Sequence, residues 1–269
     1  MHTERETAAV DGRTIAYRRT GSPSNMTVLL LHGIGGNADQ WRHQLHGLAD
    51  TYDVVAWDAP GYGGTDDPHV GWTMADFARC LAGLLDALDI ARAHVVGQSW
   101  GGVLAQELYR EHAHRFLTLT LSDTYAAGSQ AQSERDASLH ARLQALETMT
   151  PMEMAVARAP VVLGPDPTPD VLSETEAMLA AIHPAGYRVA AIALANANAL
   201  DVLPRIAVPT LVITGEHDRV VPPSAGAWLQ QQIADSRLVS IAAAGHLAGQ
   251  EQPAAYNAAL RTFLTSASQ

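Results

Sequence analysis

The stretch Ala93–Leu104, Ala-His-Val-Val-Gly-Gln-Ser-Trp-Gly-Gly-Val-Leu, constrains this chain more than any other. A short apolar run meets Gly97-Gln98-Ser99-Trp100-Gly101-Gly102, and a segment with Val103, Leu104 and Leu108 on one helical face follows. A G-x-S-x-G between a strand and a helix sets the serine on a strained turn with its hydroxyl exposed. Gly97 and Gly101 flank that turn, where a Cβ would collide with the neighbouring strand or helix. The first N–H groups of the following helix point to where negative charge would develop beside the serine. Such a chain must supply a strand, a tight turn and a helix in immediate succession.

Its surroundings repeat that pattern. Thr7–Val10 and Thr14–Arg18 flank Asp11-Gly12, a two-residue turn signal that predicts a hairpin. Thr27–Leu31 is continuously apolar, as in a strand buried on both faces. Trp41–Leu48 predicts a helix with Trp41, Leu45 and Leu48 inward, and Tyr52–Trp57 a strand. Asp58–Pro68 is a loop dense in Gly, Pro and Asp. Met74–Leu88 is amphipathic, with Phe77, Leu81, Leu84, Leu85 and Leu88 at spacings of three and four. The helix after Ser99 runs to about Arg110, and Leu117–Leu121 is the next strand. This alternation implies a parallel sheet with helices on both faces.

From Tyr125 to about Leu203 no strand-like run appears. Helical patterns at Ser138–Leu146, Pro151–Ala157, Val171–Ile182 and Gly186–Leu194 are divided by the proline-rich Gly164–Pro169. Alternation resumes with strand Thr210–Thr214, helix Ser224–Ile233, strand Leu238–Ile241 and helix Pro253–Leu264. We therefore expect a core built from residues 1–124 and 204–269, with residues 125–203 as a helical cap inserted over the sheet.

At 269 residues the chain can bury roughly three quarters of its unfolded surface. Its 47% hydrophobic and 17% charged residues suit an ordinary soluble globule. The charged N-terminus, Met1 to Glu6, shows no signal peptide, and no apolar run reaches the length of a membrane span. The lone Cys80 excludes an internal disulfide, which suits a reducing cytoplasm. A net charge of −11 argues against nucleic acid as a partner. The chain contains no lysine, all 17 of its basic residues being arginine, so Schiff-base, pyridoxal phosphate and Walker-type phosphate chemistry are excluded. No cofactor and no metal are expected. His112-x-His114 lacks a third ligand nearby.

A serine hydroxyl attacks well only when a base takes its proton, and the base needs an orienting carboxylate. After Ser99 the expected order is acid, then histidine. Asp218 follows the strand Thr210–Thr214, and His246 follows the final strand within Ala244-Gly245-His246-Leu247. We prefer His246 to His217, which adjoins the acid in sequence, and to His183 in the insert. Asp218 competes with Glu216 and with Asp123, which also ends a strand and could instead cap a turn. Donors for an oxyanion would be the N–H groups of Ile34, in His32-Gly33-Ile34-Gly35-Gly36, and of Trp100. The Trp100 side chain could line a pocket; Trp41 and Trp72 are expected to be packing anchors.

The Ser99 turn, His32–Gly36, Asp58–Thr65, Gly215-x-x-Asp218 and Gly245-His246 together resemble the α/β-hydrolase superfamily, over nearly the whole chain except the insert. Finer features resemble the 3-oxoadipate enol-lactone hydrolases: Leu121–Thr124, Pro184–Tyr187, and His246-Leu247 followed by Glu251-Gln252-Pro253 and Asn257. The insert departs from that subfamily in having no tryptophan. The resemblance implies an α/β-hydrolase fold with a helical cap, and a serine hydrolase that cleaves a small carboxylic ester or lactone through an acyl-enzyme on Ser99. It also implies an acidic substrate, whose carboxylate would want an arginine; Arg135, Arg142, Arg158 and Arg188 are the insert's options. Two other readings keep the same fold: a carbon–carbon bond hydrolase of ring-fission products or a cofactor-free perhydrolase, and a non-catalytic binding protein.

Overall fold

A computed structural model describes residues 3–267; Met1 and His2 of the charged N-terminus, with Ser268 and Gln269, lie outside the described residues. The hairpin forms as its turn demands. Asp11 and Gly12 both take positive φ, 49° and 78°, the mirror-image turn whose twist matches its strands. Those strands are β1 (Arg5–Val10) and β2 (Arg13–Thr20), antiparallel to each other. β2 pairs antiparallel with β4 (Asp53–Trp57), which pairs parallel with β3 (Thr27–Leu31). Between β3 and β4, Trp41 ends a single 3-10 turn and α1 spans Arg42–Leu48; Trp41, Leu45 and Leu48 are all buried.

The sheet then grows in parallel through α2 (Met74–Ala87), β5 (Ala93–Gln98), α3 (Trp100–His112) and β6 (Phe116–Ser122). Four helices intervene: α4 (Gln132–Thr148), α5 (Pro151–Val162), α6 (Pro169–Ala180) and α7 (Pro184–Ala195). After them come β7 (Thr210–Gly215), α8 (Pro223–Gln232), β8 (Ser236–Ile241), α9 (Ala248–Glu251) and α10 (Pro253–Ala267). The eight strands lie in the order β1-β2-β4-β3-β5-β6-β7-β8.

Period-two alternation sorts the strand residues between two cores. Leu29, Leu31, Val55, Trp57 and Val95 face α2, α3 and α8, whereas Val28, Leu30, Val54, Ala56 and Val96 face α1, α9 and α10. Helices therefore cover both faces, and the central parallel strands β3 and β4 are buried along their whole length because neither face meets water there. α4 begins six residues before the start expected from apolar spacing, at Gln132, and none of its residues is fully buried. Its polar first turns carry no apolar stripe, so periodicity had nothing to register there. Among the described residues no helix is long and apolar enough to cross a membrane.

One buried side chain in this sheet makes stability depend on pH. His94 on β5 sits edge-on to the Tyr52 ring, with Nδ1 2.9 Å from Thr118 Oγ1. Burial, aided by the charge of Arg92, pushes its pKa down to about 4. The unfolded imidazole takes a proton below about pH 6.5 while the folded one stays neutral, so the unfolded state binds more protons. Stability is therefore lost as pH falls from about 6.5 toward 4, with His94 contributing about 2 kcal/mol of that loss at pH 5. His94→Gln is expected to lose less melting temperature than the parent between pH 7 and pH 5. Equal losses would clear His94 of the effect.

Candidate active site

The turn after β5 holds Ser99 at φ 53°, ψ −117°, a conformation a non-glycine residue adopts only when its surroundings enforce it. Two close approaches enforce it. A Cβ on Gly97 would lie 2.3 Å from the Gly101 carbonyl oxygen, and one on Gly101 2.2 Å from that of Leu31. The Ser99 backbone is tied down as well. Its N–H donates to Ser122 O, and its carbonyl accepts from Gly102 N–H, Val103 N–H and Thr124 Oγ1.

The loops after β7 and β8 bring two further groups to this turn. Ser99 Oγ lies 2.9 Å from His246 Nε2, and His246 Nδ1 lies 2.8 Å from Asp218 Oδ2. Asp218 is fixed from its other oxygen, Oδ1 accepting the N–H groups of Val220 and Val221. All three residues are at most 8% exposed, so the chain of contacts is shielded from bulk water. The alternatives weighed from sequence lie elsewhere. His217 pairs with Glu216 at 3.7 Å, and His183 Nδ1 contacts Asp67 at 3.0 Å, both at the surface. Asp123 is buried near Asp218, but its oxygens accept from Gly215 N–H and Ser122 Oγ and do not reach His246. Burial, reinforced by the charge of Asp218, holds the Asp123 carboxyl well above the usual range.

The segment after β3 folds over Ser99. Gly33 N–H donates to Gln40 Oε1, Gly36 N–H donates to Gly33 O, and Ile34 lines the cavity that contains Ser99 and His246. His32 braces the segment, Nδ1–H donating to Gly33 O and Nε2 accepting from Ala59 N–H. Trp100 is the first residue of α3, where amides have no intrahelical acceptor. Its side chain does not line that cavity. It is 1% exposed and packs edge-on against Phe77, with 5.2 Å between ring centroids.

The sequence gives Gln98 no role, and nothing in it distinguishes Arg142 and Arg158 from the other arginines of the insert. Gln98, at the end of β5, donates to the His246 carbonyl oxygen at 2.7 Å and accepts from Gln40, tying the strand to the 3-10 turn after β3 and to the loop after β8. Arg142 on α4 and Arg158 on α5 line both the inner cavity at Ser99, of about 60 Å³, and a wider outer one of about 510 Å³. Arg142 donates to the Tyr187 hydroxyl at 3.1 Å, and Arg158 makes no hydrogen bond among the described residues. Neither pairs with a carboxylate among the described residues. Burial and the neighbouring Arg142 charge push the Arg158 pKa down. The other arginines considered from sequence are engaged at the surface, Arg135 with Gln132 and Arg188 with Glu147.

A family model described as the alpha/beta hydrolase fold matches residues 27–253. The chain is 27% identical to 3-oxoadipate enol-lactonase 2 of Acinetobacter baylyi over 97% of its own length and 96% of that protein's. A solved enol-lactonase from Burkholderia xenovorans superposes with a TM-score of 0.87 at 28% identity, covering 97% of this chain and 100% of that one. A malate-bound thermophilic esterase from Thermogutta terrifontis gives a TM-score of 0.87 at 27% identity, covering 98% and 99%.

Proposed function

Because the chain belongs to the α/β-hydrolase family, we propose that it is a hydrolase of the ester or lactone kind that uses Ser99 as its nucleophile. The observation that carries this reading is the unbroken contact from Ser99 Oγ through the His246 imidazole to Asp218. His246 takes the hydroxyl proton as Ser99 attacks the carbonyl and returns it to the leaving oxygen. Asp218 holds the ring with Nδ1 protonated, leaving Nε2 free to act as base. The N–H groups of Ile34 and Trp100 receive the oxyanion. Water activated by His246 then cleaves the acyl-enzyme. A fluorophosphonate that labels the parent at one serine, and leaves Ser99→Ala unlabelled, is the expected result; labelling elsewhere would remove Ser99 from the role.

The substrate of this reading is a small ester or lactone that carries a free carboxylate. Two cationic side chains without carboxylate partners among the described residues, at the boundary of the inner and outer cavities, support it. A guanidinium fork fits a planar carboxylate through two parallel hydrogen bonds. The −11 net charge of the whole chain repels anions, so only a local cationic site could favour one. The parent is expected to prefer a nitrophenyl hemiglutarate to the neutral nitrophenyl butyrate. Arg158→Gln should cut the ratio of their kcat/KM values by about 10- to 100-fold, since a hydrogen bond to a charged group is worth about 1.5–3 kcal/mol. An unchanged ratio in both Arg158→Gln and Arg142→Gln would exclude the acidic substrate and leave the serine chemistry standing.

A further inference from the structure

The C-terminal end of α5 touches the loops that carry His246 and Asp218. His246 N–H donates to Val162 O at 2.8 Å, so the last residue of the helix accepts directly from the backbone of the imidazole-bearing residue. Arg219, next to Asp218, reaches the same helix end and donates to Pro160 O and Leu163 O. Glu251, at the end of α9, joins the two sides. Its Oε2 accepts from Gly164 N–H at 2.6 Å, and its Oε1 from Gly245 N–H at 2.8 Å and Leu247 N–H at 3.3 Å. The last two amides flank His246, while the first lies two residues past α5. Among the described residues Glu251 has no ion-pair partner, so these amides are what hold its carboxylate. The backbones are in close contact there. A Cβ on Gly245 would lie 2.5 Å from Gly164 N and 2.6 Å from Leu163 C. Meanwhile the body of α5 presents Met154, Ala155, Arg158 and Val162 to the inner cavity.

From this geometry we infer that Glu251 is a positioning residue, which clamps the His246 loop to the end of α5 so that base and cavity wall hold one register. The inference rests on His246 being the base. A carboxylate can accept all three amides at once, with both oxygens and all their lone pairs available. An amide in its place has one acceptor oxygen and turns an NH2 group toward backbone donors, so at least one contact becomes a clash of hydrogens. The loop must then shift, and a displacement of about 1 Å in a reacting group can cost about 100-fold in rate. The cavity wall, built on other residues of α5, is less disturbed than the imidazole. Glu251 is therefore felt in kcat more than in KM.

Glu251→Gln is accordingly expected to lower kcat on nitrophenyl butyrate by about 10- to 100-fold while KM changes by less than about threefold. Fluorophosphonate labelling of Ser99 should slow by a similar factor yet reach full stoichiometry, which shows that the molecules counted are folded. Glu251→Asp, which keeps the charge, should recover part of the loss. Gly245→Ala drives the same two segments apart with Glu251 intact and is expected to give the same kcat-weighted defect. Arg237→Gln, on the far strand β8, is the control and should match the parent. Parent kcat and labelling rate in Glu251→Gln, with only the melting temperature lowered, would reduce Glu251 to a structural brace and overturn the inference. If Ser99→Ala kept its activity, the serine reading itself would fail instead, so the two failures are distinguishable.

Discussion

Ser99→Ala is expected to lower kcat by about 10⁴- to 10⁶-fold on any ester the parent hydrolyses, the range seen when the nucleophile of a triad is removed. The size of the effect follows from what the alanine leaves behind. Cavity, amide donors and imidazole all remain, but no atom can form the acyl-enzyme, and water must attack without a covalent intermediate. The substitution should cost little stability. The contacts that hold the turn run through the Ser99 backbone, whose carbonyl accepts from Gly102, Val103 and Thr124. Alanine meets the same φ of 53° with a Cβ the site already accommodates. A melting temperature within a few degrees of the parent, with turnover at the detection limit, is the expected pair of results. Turnover within tenfold of the parent would show that another group attacks the carbonyl.

Much of this site was legible because each part is bound to a local backbone device. Ser99 stands out through glycines that the close approach of β3 and α3 requires, and a spacing of five residues records that requirement. Asp218 and His246 follow strands in a sheet whose carboxyl edge collects functional groups, so counting strands narrowed the choice while leaving Asp123, which also ends a strand, in contention. The start of α4 was not legible, since Gln132–Asp136 carry no apolar residue to mark a period. Nor could the sequence show which side chains meet across elements. Glu251 meets Gly164 across 87 positions of chain. Arg142 and Arg158 converge only because α4 and α5 both border the same cavities. Arg135, on the same helix as Arg142, is spent on Gln132 instead. Composition and spacing are blind to this distinction, which depends on which face of a helix looks inward.

Asp218→Asn carries the second large effect, about 10⁴-fold in kcat, and its cause is a tautomer. Asp218 Oδ1 accepts two amides, from Val220 and Val221, while Oδ2 accepts from His246 Nδ1. An asparagine must keep its carbonyl oxygen on the two amides, because its NH2 group cannot face them. That NH2 group then points at His246 Nδ1, which has to present a lone pair to receive it. The ring proton moves to Nε2, the atom 2.9 Å from Ser99 Oγ, and the base arrives already protonated. Asp123, though buried nearby and also at the end of a strand, cannot take over. Its oxygens are held by Gly215 N–H and Ser122 Oγ, and burial, reinforced by the charge of Asp218, holds its carboxyl pKa well above the usual range. Removing it as well should therefore add little. Asp218→Asn and the double variant Asp218→Asn with Asp123→Asn are expected to fall to the same kcat within about threefold. A further large drop in the double variant would mean that Asp123 serves as the reserve acid. An Asp218→Asn enzyme that kept more than about a tenth of parent kcat would mean that His246 is oriented by something other than Asp218.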